Sequence, residues 1–138
     1  MPAPTIAELI SDQIVRDALD EAWGASESDV ITHRHIEGGW FFMDTASRGL
    51  SYRRAPAGEQ SKLNLNSPPI VTGSVVVATF HTHPNPVATG WDPGPSPEDT
   101  RSAGLLGVPC LIRAEDGIYF TGPNARRGGL QGSPGFPD

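Results

Sequence analysis

Ser74 to Phe80 reads Ser-Val-Val-Val-Ala-Thr-Phe, with three consecutive valines and no polar alternation. β-branched side chains favour extended backbone, and a strand with one wet face alternates apolar with polar. This run therefore predicts a strand covered on both faces, placed centrally in a sheet. Any fold for the chain has to supply neighbours on both edges and cover on both sides of that strand. His81-Thr82-His83-Pro84 follows it directly, at its C-terminal end.

The material for that cover is unevenly distributed. Of 16 Gly and 14 Pro among 138 residues, seven fall in 84–97 and seven in 123–138, so the other 108 residues hold only 16 of these structure-breaking types. A stretch of that size can build one compact core. We expect a single domain over 1–122 and a flexible Gly/Pro-rich tail over 123–138.

Local signals place the elements. Thr5-Ile6-Ala7-Glu8 has the form of a capping box. Ile6, Leu9, Ile10, Ile14, Ala18, Leu19 and Ala22 then recur at three- and four-residue steps, which predicts one amphipathic helix ending at Gly24. Val30 to Met43 predicts one or two strand segments with a bulge at Gly38-Gly39, followed by a turn over Asp44 to Gly49 and a return strand from Leu50 to Arg54. Residues 55–69 are polar and interrupted by proline, and predict a surface loop. Ser96-Pro97-Glu98-Asp99 is a helix start, with Ser at the N-cap and Pro at the first helical position, and Gly107 ends that helix. Val108 to Arg113 and Ile118 to Thr121 predict a closing hairpin. The fold class is α+β, a mixed sheet flanked by helices.

Charge and apolar patterning exclude several function classes. Ten Lys and Arg against sixteen Asp and Glu leave a net charge of −6, so the chain has no overall attraction for phosphate backbones or anionic lipid, and neither nucleic acid nor a membrane is an expected partner. No window approaches 18 apolar residues, and no basic start leads into an apolar run. A cytoplasmic location is the expectation; export on a fused carrier or by a specialised secretion machine leaves no such mark. Cys110 is the single cysteine, which excludes an intrachain disulfide and a thiolate-based metal site, and in Val-Pro-Cys-Leu-Ile it reads as a buried small hydrophobe.

Two histidines at i and i+2 on a strand project to the same side, so His81 and His83 can reach one ion while Thr82 points away. Asp99, in the first turn of the following helix, is the third ligand candidate. Two imidazoles and a carboxylate leave a tetrahedral zinc one open position for water, the arrangement a hydrolytic site requires. A proton acceptor outside the ligand set is then needed, and Glu37, in His35-Ile36-Glu37-Gly38-Gly39-Trp40, is the candidate, ahead of Glu27 and Glu59. His33, His35 and Glu37 form an alternative set, but same-face strand positions lie nearly 7 Å apart, which strains a single ion across three of them.

In order, Glu37, His81-Thr82-His83-Pro84 and Ser96-Pro97-Glu98-Asp99 resemble the pattern of the JAMM metalloproteases of the MPN or JAB domain class, an upstream Glu, then His-x-His-Pro, then Ser-x-x-Asp. The resemblance extends over roughly residues 5–122. Phe80 to Pro86, Gly94 to Asp99 and Gly107 to Arg113 look most like small bacterial JAB domains associated with toxin, phage or secretion modules. The resemblance implies an MPN fold, itself similar to cytidine deaminases, with Zn2+ as cofactor and His81, His83 and Asp99 as its ligands. It further implies Glu37 as the catalytic acid/base and Ser96 as a hydrogen-bond donor to the oxyanion. The activity implied is hydrolysis of a peptide or isopeptide bond, removing or processing a ubiquitin-like or other protein substrate. The loop over 84–95 is longer than in most members and carries Trp91, a candidate substrate contact. Two further readings are a non-catalytic MPN scaffold module and a toxin- or phage-linked peptidase whose substrate is not ubiquitin-like.

Overall fold

The computed structural model describes residues 3–26, 34–58, 63–84, 97–115, 117–123 and 130–131. Their elements are α1 (Ile6–Ser11), α2 (Gln13–Ala25), β1 (Gly38–Asp44), β2 (Leu50–Arg54), β3 (Ser74–His83), α3 (Pro97–Leu106), β4 (Cys110–Ala114), β5 (Gly117–Thr121) and β6 (Leu130–Gln131). The strands form one mixed sheet in the order β2-β1-β3-β4-β5-β6. Only β3 and β4 run parallel; every other neighbouring pair is antiparallel. The architecture is thus α+β, as expected, with the valine-rich strand in the interior of the sheet.

The N-terminal helix differs from expectation by a break. The capping box forms, with the Glu8 N–H donating to Thr5 Oγ1 at 3.1 Å and the Thr5 N–H to Glu8 Oε1 at 3.0 Å. Asp12 then turns extended (φ −80°, ψ 132°), and its carboxylate accepts the Ile14 N–H at 2.8 Å. An aspartate that satisfies a free helical amide in this way starts a second helix, so one periodic stripe is carried by two helices. α2 also runs through Gly24 to Ala25.

Both helices lie on one face of the sheet. Leu9, Val15, Leu19, Phe41, Phe80 and Leu111 are fully buried there, and the Phe41 and Phe80 rings stack with centroids 4.5 Å apart. Each such side chain contributes about 1.5–3 kcal/mol by leaving water, which makes this layer the main source of stability. The opposite face is covered in two patches, Trp40 and Phe42 under Ala55 and Leu65, and Cys110 and Ile112 under Ala103 of α3. Residues 63–65, expected as part of a surface loop, are tied to the first patch because the buried Trp40 Nε1–H needs an acceptor and finds the Leu65 carbonyl at 2.9 Å.

β3 departs from expectation at both ends. It extends through His83, so both histidines are strand residues. Val75 is 47% exposed, and two-sided cover begins only at Val77. The bulge expected at Gly38-Gly39 lies instead on β3, where the register steps between Phe41↔Ala78 and Phe42↔Val76 and leaves Val77 over. The two glycines serve close approach. A Cβ on Gly38 would stand 2.2 Å from the Phe80 carbonyl oxygen, and one on Gly39 would stand 1.9 Å from that of Arg53. Gly107 does end α3, at φ +74°.

The segment read as a flexible tail contributes β6, whose Leu130 and Gln131 pair with Tyr119 and Ile118 of β5. An edge strand offers a row of unpaired amides and carbonyls, and this short strand takes up part of it. No helix among the described residues is long and apolar enough to cross a membrane.

Candidate metal centre

Parallel pairing of β3 and β4 requires a crossover, and α3 is that crossover. Its first turn therefore returns across the carboxyl end of β3, bringing Asp99, the third residue of α3, to the histidines. Period-two alternation puts Thr79, His81 and His83 on the α3 side of β3 and sends Thr82 to the other. The local rule and the crossover together assemble the site.

The three polar tips converge. His81 Nε2 lies 3.2 Å from His83 Nε2 and 3.3 Å from Asp99 Oδ1, and His83 Nε2 lies 3.4 Å from Asp99 Oδ2. His81, His83 and Asp99 each offer one ligand atom within 4.8 Å of the others, and they form a group able to hold a metal ion. His81 is 6% exposed, while His83 and Asp99 keep partial access to solvent. Burial opposes charge on His81, but the Cys110 sulfur and the Asp99 carboxylate beside it outweigh that opposition and raise its pKa from 6.5 to about 10.

Glu37 lies just before β1 and takes its place from β3. The Thr82 N–H donates to the Glu37 carbonyl at 2.9 Å, and the Glu37 N–H donates to Thr82 Oγ1 at 3.1 Å. Gly38 stands opposite His81, so alternation puts Glu37 with Thr82 on the α2 side of the sheet. There the Glu37 carboxylate is 9% exposed and doubly engaged, by His35 Nε2 at 2.5 Å and by an ion pair with Arg54 Nη2. Arg54 Nη1 reaches on to Glu21 of α2 at 2.9 Å, and Glu21 also accepts from the Tyr52 hydroxyl at 2.7 Å. The predicted ligands are brought together, while the predicted proton acceptor adjoins them through its backbone with its carboxylate turned to other partners.

Ser96, Trp91, His33, Glu27 and Glu59 lie outside the described residues. Two neighbours of the site escaped sequence reasoning. Arg54 joins Glu37 from 17 positions away, and Cys110 Sγ stands 3.4 Å from His81 Nδ1 across 29 positions. No local spacing announces either contact, because both are made by strand pairing. No family model matches the chain, and no curated protein or solved structure matches it.

Proposed function

We propose that the chain is a zinc-dependent metallopeptidase that hydrolyses a peptide or isopeptide bond in a protein substrate. The observation that carries the reading is the convergence of His81, His83 and Asp99. Ligand atoms bound tetrahedrally at about 2.0–2.1 Å stand about 3.3–3.4 Å from one another. The two imidazole nitrogens stand 3.2 Å apart, near that figure, each has an oxygen of the Asp99 carboxylate at 3.3–3.4 Å, Oδ1 for His81 and Oδ2 for His83, and two imidazoles with one carboxylate are a set used by zinc in hydrolytic sites. The resemblance of Glu37, His81-Thr82-His83-Pro84 and Ser96-Pro97-Glu98-Asp99 to the JAMM metalloprotease pattern supports the same assignment.

Zinc, when bound, supplies a Lewis acid beside the scissile carbonyl and an acidified water with a pKa of roughly 7. In this reading Glu37 would serve as the proton acceptor and then as the donor to the leaving amine, the lysine ε-amine for an isopeptide. For this its carboxylate would have to part from Arg54 and His35. Ser96 donates to the oxyanion. Trp91, which precedes α3 in the chain, would contact the substrate.

The double engagement of Glu37 favours a second reading, a non-catalytic scaffold module. The test is elemental analysis of wild type and His83→Ala, with hydrolysis assays on ubiquitin-like fusions and peptides for wild type and Glu37→Gln. The proposal expects about one zinc per chain, lost in His83→Ala, and turnover that collapses in Glu37→Gln while zinc stays bound. Zinc without turnover of any substrate counts against the peptidase, and no zinc at all sinks the peptidase and favours the scaffold.

A further inference from the structure

We infer that Cys110 is a positioning residue of the metal centre, its sulfur accepting the Nδ1–H of His81 and thereby aiming Nε2 at the point where His83 and Asp99 converge. The inference rests on the reading of those three residues as a metal site, and it concerns the side of His81 that faces away from the metal.

An imidazole has two nitrogens, and a metal on one leaves the ring proton on the other. In His81 Nε2 faces His83 and Asp99, so the proton belongs on Nδ1. Ligating histidines hold their orientation by donating this second N–H to an acceptor, usually a carboxylate, a carbonyl or water. His81 is 94% removed from solvent, and the atom that meets its Nδ1 is Cys110 Sγ at 3.4 Å. The sulfur has its own outlet, since Sγ lies 4.0 Å from the Leu111 carbonyl oxygen. The thiol can donate there while its lone pair accepts from the ring.

The fold places this sulfur as firmly as it places the ligands. Cys110 stands opposite Thr79 in the parallel β3–β4 register, one same-face step before His81. It is 3% exposed and packs with Ala103 and Ile112, so the contact is formed within the sheet and under α3. Buried small hydrophobe is thus an incomplete account of this cysteine.

The test uses the full chain loaded with Zn2+ at pH 8, as wild type, Cys110→Ala and Cys110→Ser, and follows zinc release to excess chelator. Release is a property of the loaded site, so the proton His81 carries when empty does not enter. Loss of an outer partner costs 10–100-fold in metal affinity, and sulfur is a weak acceptor, so Cys110→Ala should release zinc about tenfold faster. Serine keeps both donor and acceptor, and Cys110→Ser should stay within about threefold of wild type. Nitrogen-15 spectra of the loaded protein should show the His81 proton on Nδ1, exchanging slowly, with an Nδ1 shift that changes in Cys110→Ser as oxygen replaces sulfur as acceptor, and if the alanine variant does not fold an unchanged shift overturns the inference. Release from Cys110→Ala at the wild-type rate, release from Cys110→Ser as fast as from Cys110→Ala, or a proton on Nε2 in the loaded protein would each overturn the inference. Failure of the wild type to take up zinc is a separate result, which overturns the metal reading itself and this inference with it.

Discussion

Gly38→Ala places a methyl group against the strand that carries the histidines. Its Cβ would meet the Phe80 carbonyl oxygen at 2.2 Å and the His81 Cα and Cβ at 2.9 Å, and the first of these is backbone that cannot rotate away. Ordinary contact requires β1 to retreat from β3 by about 1 Å, an overpacking of the kind that costs about 1–3 kcal/mol. The retreat also strains the Thr82 N–H to Glu37 O and Glu37 N–H to Thr82 Oγ1 hydrogen bonds, at about 1 kcal/mol each. Alanine's smaller unfolded-state entropy returns about 0.4–1 kcal/mol, leaving a net loss of about 3 kcal/mol. With about 2.1 cal/mol/K per residue over the 138-residue chain, that loss lowers the melting temperature by about 10 °C. Circular dichroism melts in chelator-containing buffer measure it without metal linkage. Gly104→Ala, where a Cβ meets nothing within 4 Å, is the matched control and should raise the melting temperature by about 2–3 °C through helix propensity. Gly38→Ala melting within about 2 °C of wild type would refute the close-approach argument.

Zinc at about 100 times its dissociation constant should stabilise the wild type by about 2.7 kcal/mol, or about 9 °C in the same melts, and His83→Ala should lose most of that shift. A flat response in wild type counts against the site. Because the His81 pKa is raised to about 10, the metal-free protein keeps this proton at neutral pH and zinc has to displace it. One displaced proton makes apparent affinity rise about tenfold per pH unit between pH 7 and 9, and weaken as pH falls. Calorimetry in buffers of different ionisation enthalpy should report release of about one proton at pH 7; zero release removes the pH argument.

Whatever depends on a few adjacent residues was readable in the sequence. The capping box at Thr5 and Glu8, the αL stop at Gly107, the interior placement of the valine strand and the shared face of His81 and His83 follow from backbone geometry over one to five positions. The same local physics shows why the single-helix expectation failed, since apolar periodicity does not register an aspartate that caps in mid-stripe. The position of the bulge at Val77, the burial of Leu65 beneath Trp40's hydrogen bond and the strand at Leu130–Gln131 depend on what lies across the sheet, which no window of sequence contains.

The candidate site divides in the same way. The donor types and their order are local properties of the chain, two histidines at strand spacing and an aspartate in a helix's first turn. Their meeting is the work of the fold, because the parallel β3–α3–β4 crossover returns the helix over the strand end. The fold also decided their surroundings, Arg54 and His35 on Glu37 and Cys110 behind His81. Those contacts are set by strand register and by which face each side chain takes, both fixed by burial of the whole sheet rather than by neighbours in the chain.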